Sequence, residues 1–117
     1  MNQPQNAIEP ADYRQLAELH DMASHACDLL KAMSNKWRLM ILCQLSEGEK
    51  TVGELQSLLG LGQSAVSQHL AVLRREKIVC SRKHAQSISY SLSGDEAIKV
   101  MGTLHDVFCS KAATVTK

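Results

Sequence analysis

The chain has 117 residues, with 13 Lys and Arg against 12 Asp and Glu, so its formal charge is only +1. That length fits one domain of ordinary size able to bury a core, and the near-balanced charge by itself points to no partner. Met1 to Pro10 has neither the basic n-region nor the apolar h-region of a signal peptide, and no apolar run approaches membrane-spanning length, which predicts a cytoplasmic protein.

The distribution of charge says more than its sum. Residues 1–30 carry five acids and one arginine, Arg14, whereas Arg74 to His84 holds five Lys or Arg against Glu76. A local basic patch is the electrostatic footprint of nucleic-acid binding, so the acidic N-terminus is expected to face away from a duplex. The four cysteines, Cys27, Cys43, Cys80 and Cys109, form no CxxC pair, which argues against a structural zinc site. In a reducing cytosol they rest as thiols, and a disulfide between them is sensory rather than structural.

Residues 1–11 contain both prolines together with Gln and Asn and are expected to form a flexible tail. From Asp12 a helix is predicted to about Met33. Leu16, Leu19, Ala23, Ala26, Leu30 and Met33 recur at alternating spacings of three and four, the seam of helices packed nearly side by side. Such a stripe can face its own core, but in a domain this small it is more economically half of a dimer interface. Ser34 and Asn35 break the helix and cap the next, Lys36 to about Leu45, with Trp37 a packing anchor. Glu47 to Lys50 reads as a charged turn.

Thr51 to Lys83 is the centre of the chain. Thr51 with Glu54 three residues on forms a capping box, and Val52, Leu55, Leu58 and Leu59 supply an apolar stripe. Gly60 and Gly62 end that helix and open the next. The second helix, Gln63 to about Lys77, places Val66, Leu70 and Leu73 on one side and Gln63, Ser64, Ser67, Gln68, Ala71 and Arg74 on the other. A face small and polar near its N-terminus fits between base edges in a major groove, while Arg74, Arg75 and Lys77 sit where phosphates would pass. After Lys77 the period becomes two: Cys80 and Arg82 on one strand, Ile88, Tyr90 and Leu92 alternating with Ser87, Ser89 and Ser91 on its partner, and a tip at His84-Ala85-Gln86. Arg82, Lys83 and His84 of this hairpin are candidates for the DNA backbone or a minor groove, giving affinity, with Gln63, Ser64, Ser67 and Gln68 giving specificity. Ser93 is expected to cap a last helix to about Ser110, with Ala97, Met101, Leu104 and Phe108 as its apolar stripe.

QSAVSQHLAVLRREKIV resembles the recognition helix of the ArsR/SmtB winged helix-turn-helix repressors, and LLKAMSNKWRLMILCQL resembles the segment before it; the likeness runs from about Leu29 to Cys109. It implies a mainly α fold with a small β-hairpin over residues 12–110, between tails 1–11 and 111–117, and a homodimer formed through the first and last helices. It also implies a palindromic operator as partner and an inducer that releases it. Metal sensors of the family carry thiols in the helix that here reads Thr51-Val52-Gly53-Glu54-Leu55-Gln56, or an Asp-x-His pair on the last helix, where this chain has Asp95-Glu96-Ala97 and only His105. Cys43 in ILCQL and Cys109 in VFC resemble instead the dithiol branch, the SqrR, BigR and HlyU-like regulators that respond to persulfides and other reactive sulfur species. That resemblance makes Cys43 and Cys109 the redox-sensing pair, with no metal and no cofactor, and leaves Cys27 and Cys80 as bystanders.

By composition alone, Cys43 beside Leu39-Met40-Ile41-Leu42 reads equally as a small core hydrophobe, and Cys109 as an exposed thiol near a frayed end. The alternatives are a metal-responsive repressor using Cys43, Cys109 and His105, and a HlyU-like activator indifferent to thiol state. An enzyme is disfavoured, because Cys43 has no sequence-identifiable base or oxyanion site.

Overall fold

The computed structural model describes residues 10–109. In order these are α1 (Pro10–Met33), α2 (Lys36–Ser46), β1 (Lys50–Thr51), α3 (Val52–Leu59), α4 (Gln63–Arg75), β2 (Val79–His84), β3 (Ser87–Leu92) and α5 (Asp95–Leu104), followed by one π-helical turn, His105–Cys109. Residues 1–9 of the first expected tail, Ser110 of the expected last helix and all of the second tail, 111–117, lie outside the described residues. Pro10 and Ala11, expected in the first tail, open α1 instead, where a proline's fixed φ suits the first turn.

Short-range chemistry sets most of the boundaries. Asn35 caps α2, its side-chain oxygen accepting from the Trp37 and Arg38 backbone N–H groups at 3.0 Å each. Arg38 in turn closes the end of α1, donating to the carbonyls of Ala32 at 2.6 Å and Lys31 at 3.2 Å, the latter also accepting from the Ser34 N–H at 3.3 Å. Thr51 and Glu54 form the capping box of α3. Gly60 closes α3 in the left-handed conformation at φ 68°, which glycine adopts without the Cβ clash that other residues meet.

The core lies where α2, α3, α4 and α5 meet the base of the hairpin. Ile41, Leu42, Leu45, Leu55, Val66, Leu70, Leu73, Ile78, Val79, Ala97 and Met101 are buried there, joined by Ala32 and Met33 from the last turn of α1. This is a helix-turn-helix followed by a β-wing.

Several expectations need correction. The charged turn at Glu47–Lys50 stops one residue early, because Lys50 and Thr51 form β1 and pair with Tyr90 and Ser89. The wing is therefore a three-stranded antiparallel sheet in the order β1-β3-β2, with β3 central. Its pleat does not sort apolar from polar as the alternation suggests: Ser89, flanked by strands on both sides, is buried, while Ile88 near the tip is 45% exposed. The tip is only Ala85-Gln86.

Helix α4 ends at Arg75 rather than Lys77. Lys77 turns left-handed at φ 61°, and the N–H groups of Ile78 and Lys77 bond the Leu73 and Arg74 carbonyls, each at 2.9 Å, a Schellman closure. Ser93 does not cap α5; Gly94 holds that position, at φ 82° and with Lys77 O only 3.2 Å from where a Cβ would stand. The α-helical part of α5 stops at Leu104, and the remainder to Cys109 is the wider π turn.

Most of the α1 seam is not used by this chain's own core. Leu16 and Leu19 are 51% and 58% exposed, and Leu30 is exposed as well, whereas Met33 is buried. On α5 and its π turn, Ile98, Val107 and Phe108 are likewise exposed.

Candidate DNA-binding face and dithiol cavity

The packing of α4 decides what it shows to solvent. Val66, Leu70 and Leu73 are sunk into the core, which turns Gln63, Ser64, Ser67, Gln68, Ala71 and Arg74 outward, all exposed. Gln63/Ser67 and Ser64/Gln68 are i,i+4 pairs, so the four polar side chains share one strip of the helix. His69 lies at its edge, half-buried, with its pKa lowered by burial and by the neighbouring Arg38 charge. It is a neutral packing group at physiological pH.

A hollow separates α4 from the wing, lined by Ser67, Leu70, Ala71, Arg74, Arg75 and Tyr90. Tyr90 was assigned from sequence only to strand alternation; the fold puts it beside the two arginines. Nothing in the linear order signals this, since Tyr90 and the arginines meet only when the hairpin packs beside α4.

The basic residues of this face differ in how they are held. Arg82 donates from Nη2 to Glu49 Oε1 at 2.9 Å, and His84 Nε2 stands 4.0 Å from the same oxygen. Among the described residues Arg74, Arg75 and Lys83 form no ion pair.

The two candidate sensor thiols line one cavity between α2 and the π turn that follows α5. Leu39, Cys43, Ser46 and Glu47 of α2 and the residue after it face Met101, Leu104, His105, Phe108 and Cys109, and together enclose a cavity of about 370 Å³. Its walls are mostly apolar side chains, with Glu47 and His105 at its polar edge. Cys43 and Cys109 are both free thiols reached by solvent. Even so, packing on one side of Cys43 pushes its pKa up, and the proximity of Cys109 and of Glu47 adds to the rise. Cys27, exposed on α1, and Cys80, exposed on β2 with its Sγ 3.4 Å from Ser91 Oγ, do not line this cavity. Among the described residues no three His, Cys, Asp or Glu side chains are grouped to hold a metal ion, and no helix is long and apolar enough to cross a membrane.

A capped helix, a glycine turn, a helix with a polar outer strip and a β-wing define a DNA-binding transcriptional regulator. Residues 35–81 match the arsR family of bacterial regulatory proteins. The transcriptional activator HlyU of Vibrio cholerae is 49% identical over 94 residues, covering 80% of this chain and 87% of its own. The structure of reduced HlyU superposes with a TM-score of 0.76 at 49% identity, over 79% of this chain and 97% of that one. The transcriptional repressor BigR of Xylella fastidiosa gives a TM-score of 0.72 at 38% identity, over 81% and 94%. In fold alone, a homodimeric winged helix-turn-helix DNA-binding domain from Mycobacterium bovis, 23% identical, gives 0.69 over 75% and 82%. The chain belongs to the arsR family of transcriptional regulators, and its relatives are regulators rather than enzymes.

Proposed function

We propose that the protein is a cytoplasmic, homodimeric repressor that binds a palindromic operator while Cys43 and Cys109 are reduced, and releases it when sulfane sulfur bridges them. The observation that carries this reading is that α2 and the end of α5 bring these two thiols, distant in sequence, to the walls of one cavity. The exposed apolar faces of α1 and α5 support dimerisation, since a symmetric partner offers the same surface in return.

The chemistry balances with a persulfide as oxidant. One cysteine thiolate attacks the outer sulfur of a persulfide RSSH, forming a protein persulfide and expelling the thiolate RS⁻. The other cysteine thiolate attacks the inner sulfur of that protein persulfide and expels HS⁻, leaving a disulfide. If both cysteines are first persulfidated, the outer sulfur of one attacks the inner sulfur of the other, expels HS⁻ and leaves a trisulfide. Each protein thiol gives up its proton, and the protein sulfurs are oxidised while persulfide sulfur is reduced. Longer bridges span gaps that a disulfide, limited to Cα separations below about 7 Å, does not.

Bridging ties α2 to the end of α5. Because α5 and α1 present the dimer faces, movement there alters the spacing of the two α4 helices, which need centres about 34 Å apart to enter successive major grooves. A coupling of about 1–3 kcal/mol lowers operator affinity five- to 150-fold. Lining by His105 keeps a metal-responsive reading in view, and HlyU, an activator, stands against BigR, a repressor, for the direction of control.

The test is intact mass combined with binding to a duplex selected from random-sequence DNA. It is run before and after glutathione persulfide on wild type, Cys43→Ser and Cys109→Ser. A mass change equal to bridging sulfur minus two hydrogens, with DNA release lost in both variants, supports the proposal. Release that persists in both variants, or that only Zn(II) or Cu(I) elicits, overturns it.

A further inference from the structure

The wing cations are not equivalent, and the difference traces to one carboxylate. Glu49 immediately precedes β1, and β1 and β2 flank β3 on opposite sides. Thr51 and Arg82 both pair with Ser89 of that central strand. The 2.9 Å contact from Arg82 to Glu49 therefore crosses β3, where the intervening residue is a small serine. The same carboxylate oxygen lies 4.0 Å from His84 Nε2. Glu49 is 34% exposed and Arg82 64%, so the acid is the more enclosed partner and the guanidinium remains open to solvent on its far side.

We propose that Glu49 is an intramolecular counter-ion that competes with DNA phosphate for the wing and so limits the affinity of this regulator for its duplex. In the free protein the carboxylate occupies one edge of the Arg82 fork, with His84 Nε2 4.0 Å from the same oxygen. A phosphate approaching the wing either displaces that carboxylate from Arg82 or takes the open edge of the guanidinium beside its negative charge. Lys83, with no ion pair among the described residues, meets no such competitor. An exposed ion pair is weak enough for a phosphate to displace it, so Glu49 lowers affinity without abolishing the contact. The same carboxylate damps the salt dependence, because it offsets part of the charge that would neutralise a phosphate. Glu49 is a positioning residue in this account: it acts on DNA through Arg82 and His84. The proposal rests on the wing lying against the duplex backbone and is independent of the dithiol switch.

The test measures affinity for a duplex selected from random-sequence DNA, across a salt series with the protein kept reduced. The variants are Glu49→Gln, Arg82→Gln, the double variant and Lys83→Gln, each checked by thermal melting. Glu49→Gln is expected to tighten binding about two- to five-fold near physiological salt, the range an exposed ion pair commands. It should also steepen the slope of log K against log salt, by up to about 0.9 for one phosphate more fully neutralised. Arg82→Gln should cost more affinity in the Glu49→Gln background than in wild type. Unchanged or weaker binding by a normally melting Glu49→Gln overturns the proposal, the weaker case meaning that Glu49 orients Arg82 toward DNA. If Arg82→Gln and Lys83→Gln leave affinity and slope unchanged in every background, the wing does not touch the duplex, and that part of the functional reading fails with the proposal.

Discussion

The helix-turn-helix and the dithiol cavity are built to opposite standards of packing. Leu55, Val66, Leu70 and Leu73 beneath α3 and α4 are fully buried, so the recognition helix is held by neighbours that leave it one position. At the cavity, Phe108 is 66% exposed, and Cys109 sits in a π turn at the end of a short helix. Elements with few buried apolar contacts open at low free-energy cost, whereas core elements open only with the whole domain. The difference teaches where a signal can act: a bond formed at the loose end can reposition α5 and its exposed apolar face while the helix-turn-helix stays folded.

The largest expected effect tests the packing contrast itself. Leu70→Ala should cost about 2–5 kcal/mol of stability, as deletions from a closed core do, whereas Phe108→Ala should cost under about 1 kcal/mol. Urea unfolding of both variants gives the answer, and similar losses would erase the distinction. Next, persulfide treatment that weakens wild-type DNA binding by roughly 10- to 100-fold should leave Cys43→Ser and Cys109→Ser unchanged, with coupling of about 1–3 kcal/mol read from titrations. On α4, Gln68→Ala should relax discrimination at one operator position by about 1–3 kcal/mol without altering the persulfide response, which competition with single-base operator variants would show.

A smaller change sharpens the boundary between helix-turn-helix and wing. Thr51→Ala removes the cap of α3, where Glu54 N–H donates to Thr51 Oγ1 at 3.1 Å and Thr51 N–H to Glu54 at 2.8 Å. About 1 kcal/mol of stability should be lost, seen as a lower melting temperature with β1 pairing retained. The smallest effect is kinetic. Because burial raises the Cys43 pKa, its thiolate is scarcer at neutral pH than that of an ordinary cysteine, and its share grows as pH rises through and beyond the usual thiol range. Bridging should accelerate with pH over that range. Glu47→Gln removes one of the charges that raises the pKa, so its rate profile should move to lower pH, and stopped-flow measurement of thiol loss would detect the shift.

Much of this molecule follows from interactions that span only a few residues. The capping box at Thr51, the cap at Asn35, the left-handed Gly60 and the leucine spacing of α4 are each decided by a side chain and a backbone group within a turn or two. The sequence alone therefore determines the helix-turn-helix, the hairpin and the outward strip of Gln63, Ser64, Ser67 and Gln68. Its cysteine pattern, through family resemblance, makes Cys43 and Cys109 the candidate pair, and both line one cavity.

Tertiary structure decided what depends on elements far apart in the chain. That Lys50 and Thr51 form a third strand is settled by β3 having a free edge at that place, not by two residues of propensity. The pairing makes β3 central, covers Ser89 from both sides and sets Glu49 within reach of Arg82, while packing of the hairpin beside α4 puts Tyr90 in one hollow with Arg74 and Arg75. The early end of α4 came from Lys77 turning left-handed so that Ile78 could drop into the core. That Cys43 and Cys109 line one cavity required α5 to pack against α2. Local patterns fix which residues form an element and which side they show; which carboxylate meets which cation, and which thiol meets which thiol, is fixed only when the core closes and chooses how those elements pack.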